Sequence, residues 1–242
     1  MVTLFEMPRS SWGLLNPSPF CAKVEVFLRM FGEPYRTEHT LLLGRTPRGK
    51  LPYILDAGQV IPDSEDNLAH LQATRGDRLG EAAVSNERRH VCHLLRRTAE
   101  ESLYFAVVSE RWRDERVLEA YAASLFPILP PFVRRLPTEL ARRKLLAQLY
   151  QQGYGRHPLA AVQDKAARDL DAFASVLGQE PYFTGETPRA IDAAMFGSLA
   201  NLWYIPVETR MRRHLGGHQN LVAFLERMRL RYAPELPVPG VV

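Results

Sequence analysis

The run Ser18-Pro19-Phe20-Cys21-Ala22-Lys23-Val24-Glu25, together with the later Gly49-Lys50-Leu51-Pro52-Tyr53-Ile54, decides how this chain folds. Ser18 is a favoured helix N-cap and Pro19 a favoured first helical residue, and Phe20, Val24, Phe27, Leu28 and Phe31 recur at helical spacing until Gly32. That pattern predicts a helix with one face buried against a sheet. Upstream, Val2 to Met7 is short and apolar with Glu6 alternating in, which reads as a strand, and Pro8 to Pro17 reads as a long loop. Downstream, Pro34 to His39, Pro52 to Asp56 and Gln59 to Pro62 read as strands, the last two joined by a hairpin at Ala57-Gly58. Asp63 or Ser64 then caps a helix that turns Leu68 and Leu71 inward and ends near Gly76. The order is βαβ, a loop, then ββα.

Beyond this point every signal is helical. A long amphipathic helix is expected from Val84, carrying Val91, Leu94, Leu95, Leu103, Val107 and Val108 inward. Further helices are expected around Glu119 to Phe126, Glu139 to Tyr150, Ala160 to Leu177, Ile191 to Tyr204 and Asn220 to Leu230. We therefore expect an α/β domain over residues 1–76 and an all-α domain over 84–242, with a linker at about 75–83. The length of 242 residues and the 46% hydrophobic content suit a globular protein with room for both.

Composition removes several function classes. The formal net charge is only +4, which gives little support to nucleic-acid binding. Cys21 and Cys92 are the only cysteines, too few for a disulfide framework or a zinc cluster. His90, His93, His214 and His218 show no acidic or cysteine partner at metal-ligand spacing, so no metal is expected. Neither a secretory leader nor a membrane-length apolar run is visible, which predicts a cytoplasmic protein with no membrane partner. Only Lys23, Lys50, Lys144 and Lys165 are lysines; the arginine clusters at 111–116, 134–135, 142–143 and 210–213 alternate with acids and read as solvated helix faces.

Three local features stand where a thiol cofactor would need them. A helix N-terminus presents unpaired N–H groups and a positive dipole end, so the Ser18 hydroxyl there can donate to a thiolate and Cys21 would have a lowered pKa. Leu51-Pro52 opens a strand, and a cis bond there would leave the Leu51 backbone free to pair with a peptide-like ligand. Asp63-Ser64 opens a helix whose N–H groups and hydroxyl suit a carboxylate, while Asp63 suits an ammonium. Alone, each is ordinary: Ser18 a plain cap, Cys21 a small core residue, Pro52 a trans proline. Together, in this order, they fit the cysteine thiol, the cysteinyl backbone and the γ-glutamyl zwitterion of glutathione.

On these residues the chain resembles the glutathione S-transferase family, nearly end to end. Ser18-Pro19-Phe20-Cys21 is similar to the family's Cys-Pro-x-x position, Leu51-Pro52 to the residue before its cis-proline, and Asp63-Ser64 to its acidic-Ser pair. Within the family it looks most like the metaxin and failed-axon-connections-like branch, on Trp12-Gly13, Ser18 to Glu25, Leu28-Arg29-Met30, Gly49 to Ile54 and Ile191 to Gly197. Metaxins carry an apolar C-terminal tail that Glu235 to Gly240 does not resemble, so a soluble relative is expected. The family's second-domain helix starts with a Ser or Thr where this chain has Arg189, leaving the capping box with Asp192 incomplete and Thr187 as a substitute.

The resemblance implies a thioredoxin-like first domain, glutathione as co-substrate, attack of its thiolate on a small electrophile, and a homodimer. Ser18 is the expected thiolate stabiliser, with Lys50, Leu51, Pro52, Asp63 and Ser64 binding glutathione. The electrophile site is expected between the domains, at Trp12, Leu15, Tyr104 and Trp112, with Trp203 and Tyr204 behind; as aromatics at helical spacing these also suit a core. Two rival functions stay open: a glutathione-binding, metaxin-like adaptor without turnover, and a thiol reductase using Cys21.

Overall fold

The computed structural model describes residues 1–9, 13–125 and 130–236. Strands β1 (Val2–Glu6), β2 (Tyr35–His39), β3 (Tyr53–Asp56) and β4 (Gln59–Pro62) form one sheet in the order β2-β1-β3-β4. β1 runs parallel to β2 and antiparallel to β3, and β3 and β4 make the expected hairpin. Ala57 and Gly58 both take positive φ in its turn, as a tight hairpin requires. Helices α1 (Pro19–Phe31) and α2 (Ser64–Arg75) complete the unit. It is the mixed sheet and helix set of a thioredoxin-like domain.

The remaining helices are α3 (Asn86–Arg97), α4 (Tyr104–Arg113), α5 (Glu115–Leu125), α6 (Pro131–Gln152), α7 (Leu159–Leu177), α8 (Ala190–Trp203), α9 (Arg210–Gly217) and α10 (Gln219–Tyr232). The single long helix expected from Val84 is interrupted: Thr98–Leu103 adopts a wider π-helical turn between α3 and α4. Such turns rotate the helix face that follows. α9 escaped the sequence reading because its Arg-rich run buries only Met211 and Leu215. α6 begins earlier than expected and carries Pro137 inside it.

α1 is a central helix rather than an amphipathic one. Ten of its residues are buried, including Lys23 and Glu25, because α8, α2 and α10 pack against it and its apolar side chains share one core with Val2, Leu4 and Ile54 of the sheet. Close approach to α8 is possible only at Gly197, where an added Cβ would meet Pro19 O at 2.4 Å and Lys23 N at 3.0 Å. Asp192 anchors the start of α8: its carboxylate accepts from Phe183 N and Arg189 N, both at 2.8 Å. The cap is Arg189, not Thr187, and a guanidinium has no acceptor to return to the helix, so only the Asp192 half of the box forms. Arg189 instead reaches back to Leu79 O, and Ala190 N donates to Glu81 Oε1 at 2.7 Å, tying residues 79–81 to the second domain.

Candidate active site

The register of the sheet gathers the three features at one end. Phe5, the penultimate residue of β1, pairs with Tyr53 at the start of β3, and Tyr53 pairs with Pro62 at the end of β4. The loop after β1, the residues before β3 and the residues after β4 therefore leave the sheet side by side. Those segments carry Ser18, Leu51-Pro52 and Asp63-Ser64.

Ser18 is the N-cap of α1, half-buried, and its Oγ accepts from Cys21 N at 3.4 Å. Accepting one long hydrogen bond leaves the hydroxyl proton available to another partner. Its position is held from the second domain. Ser18 N donates to Asn16 Oδ1 at 3.0 Å, and the fully buried Asn16 donates to Met7 O at 2.8 Å. Arg111 Nη1 donates to Pro17 O at 2.8 Å, while Arg111 Nη2 binds Asn201 Oδ1 at 3.0 Å and Asn201 Nδ2 donates to Asn16 O at 3.1 Å. Arg111, expected on a solvated face, is buried over the Tyr121 ring because α4 packs inward toward this loop. Neither Arg111 nor Asn201 had a local signal, since their partners lie far away in the chain.

Cys21 lies one turn into α1 and is fully buried. Burial pushes its thiol up to about 12, outweighing the opposing contact with Ser18. The lowered pKa expected of a thiol near a helix N-terminus does not arise, because the side chain faces the interior and not the open N–H groups. Cys92 is likewise raised by burial, to about 11.

The Leu51–Pro52 bond is cis. β3 is paired along both edges, so Leu51, just outside its register, is where an added strand could attach. Lys50 beside it is exposed. Asp63 takes φ +75°, a conformation unusual for a residue with a Cβ, and its carboxylate caps α2 by accepting from Glu65 N at 2.9 Å. Ser64 is buried, and its Oγ accepts from Lys23 Nζ at 3.3 Å. The Lys23 side chain, 1% exposed, also binds Glu100 Oε1 at 2.6 Å, reaching from α1 to the π-helical turn of the second domain. Lys23 thus joins Ser64 to Glu100. A buried lysine is costly unless paired, and the wide turn at 98–103 is what delivers its partner. Lys23 lay inside the family-like run, but nothing nearby in sequence pointed to Glu100.

The residues expected to face an electrophile separate. Leu15 and Trp112 are buried in the core, Trp112 edge-on to Tyr121, and neither presents a face to a ligand. Tyr104 is half-buried, its ring 4.9 Å from that of Phe20, two residues from Ser18. Phe20 is the neighbour that the sequence reading missed. Tyr204 is buried and Trp203 lies under the guanidinium of Arg212. Trp12 lies outside the described residues. The histidine reading needs a correction too: α7 supplies Asp171 to His214 and His218, a partner from another helix that sequence spacing cannot show.

The fold finds counterparts among known proteins. A model of the glutathione S-transferase N-terminal domain matches residues 19–117, and one of the family's C-terminal domain matches residues 166–228. The chain belongs to the glutathione S-transferase family. It is 29% identical to the isoprene-epoxide–glutathione S-transferase of Rhodococcus sp. (strain AD45), covering 92% of this chain and 95% of that protein. It is also 28% identical to metaxin-3 of Xenopus laevis over 92% of this chain and 74% of that one. With failed axon connections of Drosophila melanogaster it shares 25% identity over 97% of this chain and 59% of that protein. Among solved structures, the β-etherase LigF of Sphingobium sp. superposes with a TM-score of 0.66 at 14% identity, covering 94% of each chain. A glutathione S-transferase of Ceriporiopsis subvermispora, solved in complex with glutathione, gives 0.65 at 16% identity over 99% of each. These structural likenesses speak to fold. Among the described residues no helix is long and apolar enough to cross a membrane.

Proposed function

We propose that the protein is a glutathione transferase that joins the glutathione thiolate to a small electrophile at the N-terminus of α1. The observation that carries this reading is the placement of Ser18 as an N-cap at the same sheet end as Leu51-Pro52 and Asp63-Ser64. In the proposed pose the thiol meets the Ser18 hydroxyl and the cysteinyl backbone lies along Leu51. The γ-glutamyl carboxylate enters the N-terminus of α2 at Ser64, and Asp63 takes the ammonium. Lys50 is placed to meet the glycyl carboxylate. Lys23, paired with Glu100, donates to Ser64 Oγ and so leaves the Ser64 hydroxyl proton for the carboxylate.

A thiol of pKa about 8.5 is only a few per cent ionised near neutrality, so full ionisation by a hydroxyl donor and a helix N-terminus gains about thirtyfold in thiolate, cut to about tenfold or less in rate by the lower nucleophilicity of the more acidic thiol. Positioning supplies the larger share. The thiol proton leaves to solvent, the sulfur pair forms a C–S bond, and the bond from carbon to its leaving atom breaks. With an epoxide, the electrophile in the name of the Rhodococcus relative, that atom is the ring oxygen, which then takes a proton from water.

The test is conjugate formation from glutathione and a panel of electrophiles that includes small epoxides. Ser18→Ala is expected to lower kcat/KM by about tenfold or more, through the share of thiol ionisation that the hydroxyl supplies and the thiolate positioning that goes with it. The metaxin and failed-axon-connections relatives favour a second reading, a glutathione-binding protein without turnover. Retention on immobilised glutathione with no conjugate from any member of the panel selects that reading. The reductase reading loses its support with the burial of Cys21, which leaves no accessible thiolate.

A further inference from the structure

On the second domain, away from α1, α7 and α9 bring together three side chains that the transferase reading does not use. His214 Nε2 lies 2.7 Å from Asp171 Oδ1, and His218 Nε2 lies 2.9 Å from the same oxygen. The three ligand-type atoms all fall within 4.8 Å of one another. His214 belongs to α9 and His218 follows at its end, one turn on, so both imidazoles reach the same face. Asp171 comes from α7 and is held below the usual carboxylate range, first by the hydrogen bond from His214.

We propose that Asp171, His214 and His218 form a binding site for one divalent transition-metal ion of the zinc class. Two imidazole nitrogens and one carboxylate oxygen are a borderline donor set that suits Zn²⁺ and its neighbours and not Ca²⁺ or Mg²⁺, which prefer all-oxygen shells. A zinc ion bound tetrahedrally at about 2.0–2.1 Å needs ligand atoms about 3.3 Å apart. The present separations of 2.7 and 2.9 Å to Asp171 need to open by only a few tenths of an ångström, within reach of partly exposed side chains.

A cavity of about 450 Å³, lined in part by His214, His218 and Met211, borders the cluster and leaves room for the water that completes the shell. The cations on that rim are already paired, Arg210 with Asp164 at 2.5 Å and Arg213 with Glu208 at 3.2 Å, a carboxylate that Arg212 shares. Neither needs to move for a second cation to enter. The ion would cross-link α7 to the junction of α9 and α10.

The experiment is titration of the tag-free full chain with Zn²⁺ by calorimetry, with Co²⁺ absorption as the geometric readout. The expected result is one Zn²⁺ per chain, a raised Tm on binding, and Co²⁺ bands of a low-coordinate site. Asp171→Asn, His214→Gln and His218→Gln should each weaken Zn²⁺ by about tenfold or more and abolish the Tm rise. The pair His90→Gln and His93→Gln should change neither. Absence of saturable one-equivalent binding overturns the proposal, as does unchanged affinity in all three single variants. Both variant sets lie outside the proposed transferase site, so loss of metal binding with conjugation intact separates this site from that reading.

Discussion

Ser18 and Cys21 share one turn of helix and have opposite fates. The hydroxyl sits where the helix N-terminus opens outward, and the thiol points into the packed interior of α1. With its pKa at about 12, Cys21 carries almost no thiolate at any physiological pH. Iodoacetamide at pH 8 is therefore expected to leave native Cys21 unmodified and to label it once urea unfolds the chain, as read by mass spectrometry of the peptide. Rapid labelling of the native protein at Cys21 would restore the reductase reading. Arginine shows the same dependence on placement. Arg88, Arg111, Arg142, Arg212 and Arg227 each donate to a main-chain carbonyl of another segment, at 2.7–3.0 Å. A guanidinium fork can span such gaps and stay charged, which a lysine ammonium does less well. Three of these, Arg111, Arg142 and Arg212, come from the clusters that read as solvated helix faces in the sequence.

At the scale of elements, the contact between α1 and the second domain holds residues of the candidate site. Lys23, Ser64 and Glu100 form one polar unit, with Lys23 and Ser64 buried and Glu100 half-buried, so Lys23→Met leaves Glu100 without its cation and is expected to cost about 1–3 kcal/mol in urea unfolding. The double variant Lys23→Met with Glu100→Leu should regain most of that loss, since both charges then leave together. If the double change is as damaging as the sum of the singles, the pair is not a coupled unit. Gly197→Ala drives a methyl toward Pro19 O and the start of α1. We expect about 1–3 kcal/mol of destabilisation. Weaker retention on immobilised glutathione should accompany it, because the cap of α1 shifts with the helix.

Local signals carried much of the site and little of its support. Ser18, Pro52, Asp63 and Ser64 were legible because caps and strand starts are written in adjacent residues. Glu100, Arg111 and Asn201 were not, because each acts on a partner at least 77 residues away. The π-helical turn at 98–103 was illegible for a related reason: its sequence is an acceptable α-helix, and tertiary contacts choose the wider turn.

For the whole molecule, buried carboxyls set how stability follows pH. Glu6 is held in the interior near Glu25, and burial first, then that like charge, raises it from 4.5 to about 9. The native state therefore keeps a proton that the unfolded chain releases, so this contribution is complete below about pH 4.5 and is lost as pH climbs through 9. Asp56 works in the other direction, lowered to about 2, chiefly by its hydrogen bonds from Arg75; its contribution is present above pH 3.8 and fades as pH falls through 2. Unfolding free energy is expected to decline from pH 5 to pH 9, and Glu6→Gln should flatten that decline. Parallel profiles for parent and variant would show that Glu6 is not the titrating group.

The clamp on the loop before Ser18 has a consequence for recombination between relatives. Arg111 and Asn201 belong to the helical domain but hold the main-chain oxygens of Pro17 and Asn16. A chimera that joins this thioredoxin-like half to a foreign helical half inherits Ser18 without the side chains that hold the loop before it. Such a hybrid could fold and still present a misaligned hydroxyl, unless the donor half brings an equivalent arginine and asparagine to the same two oxygens.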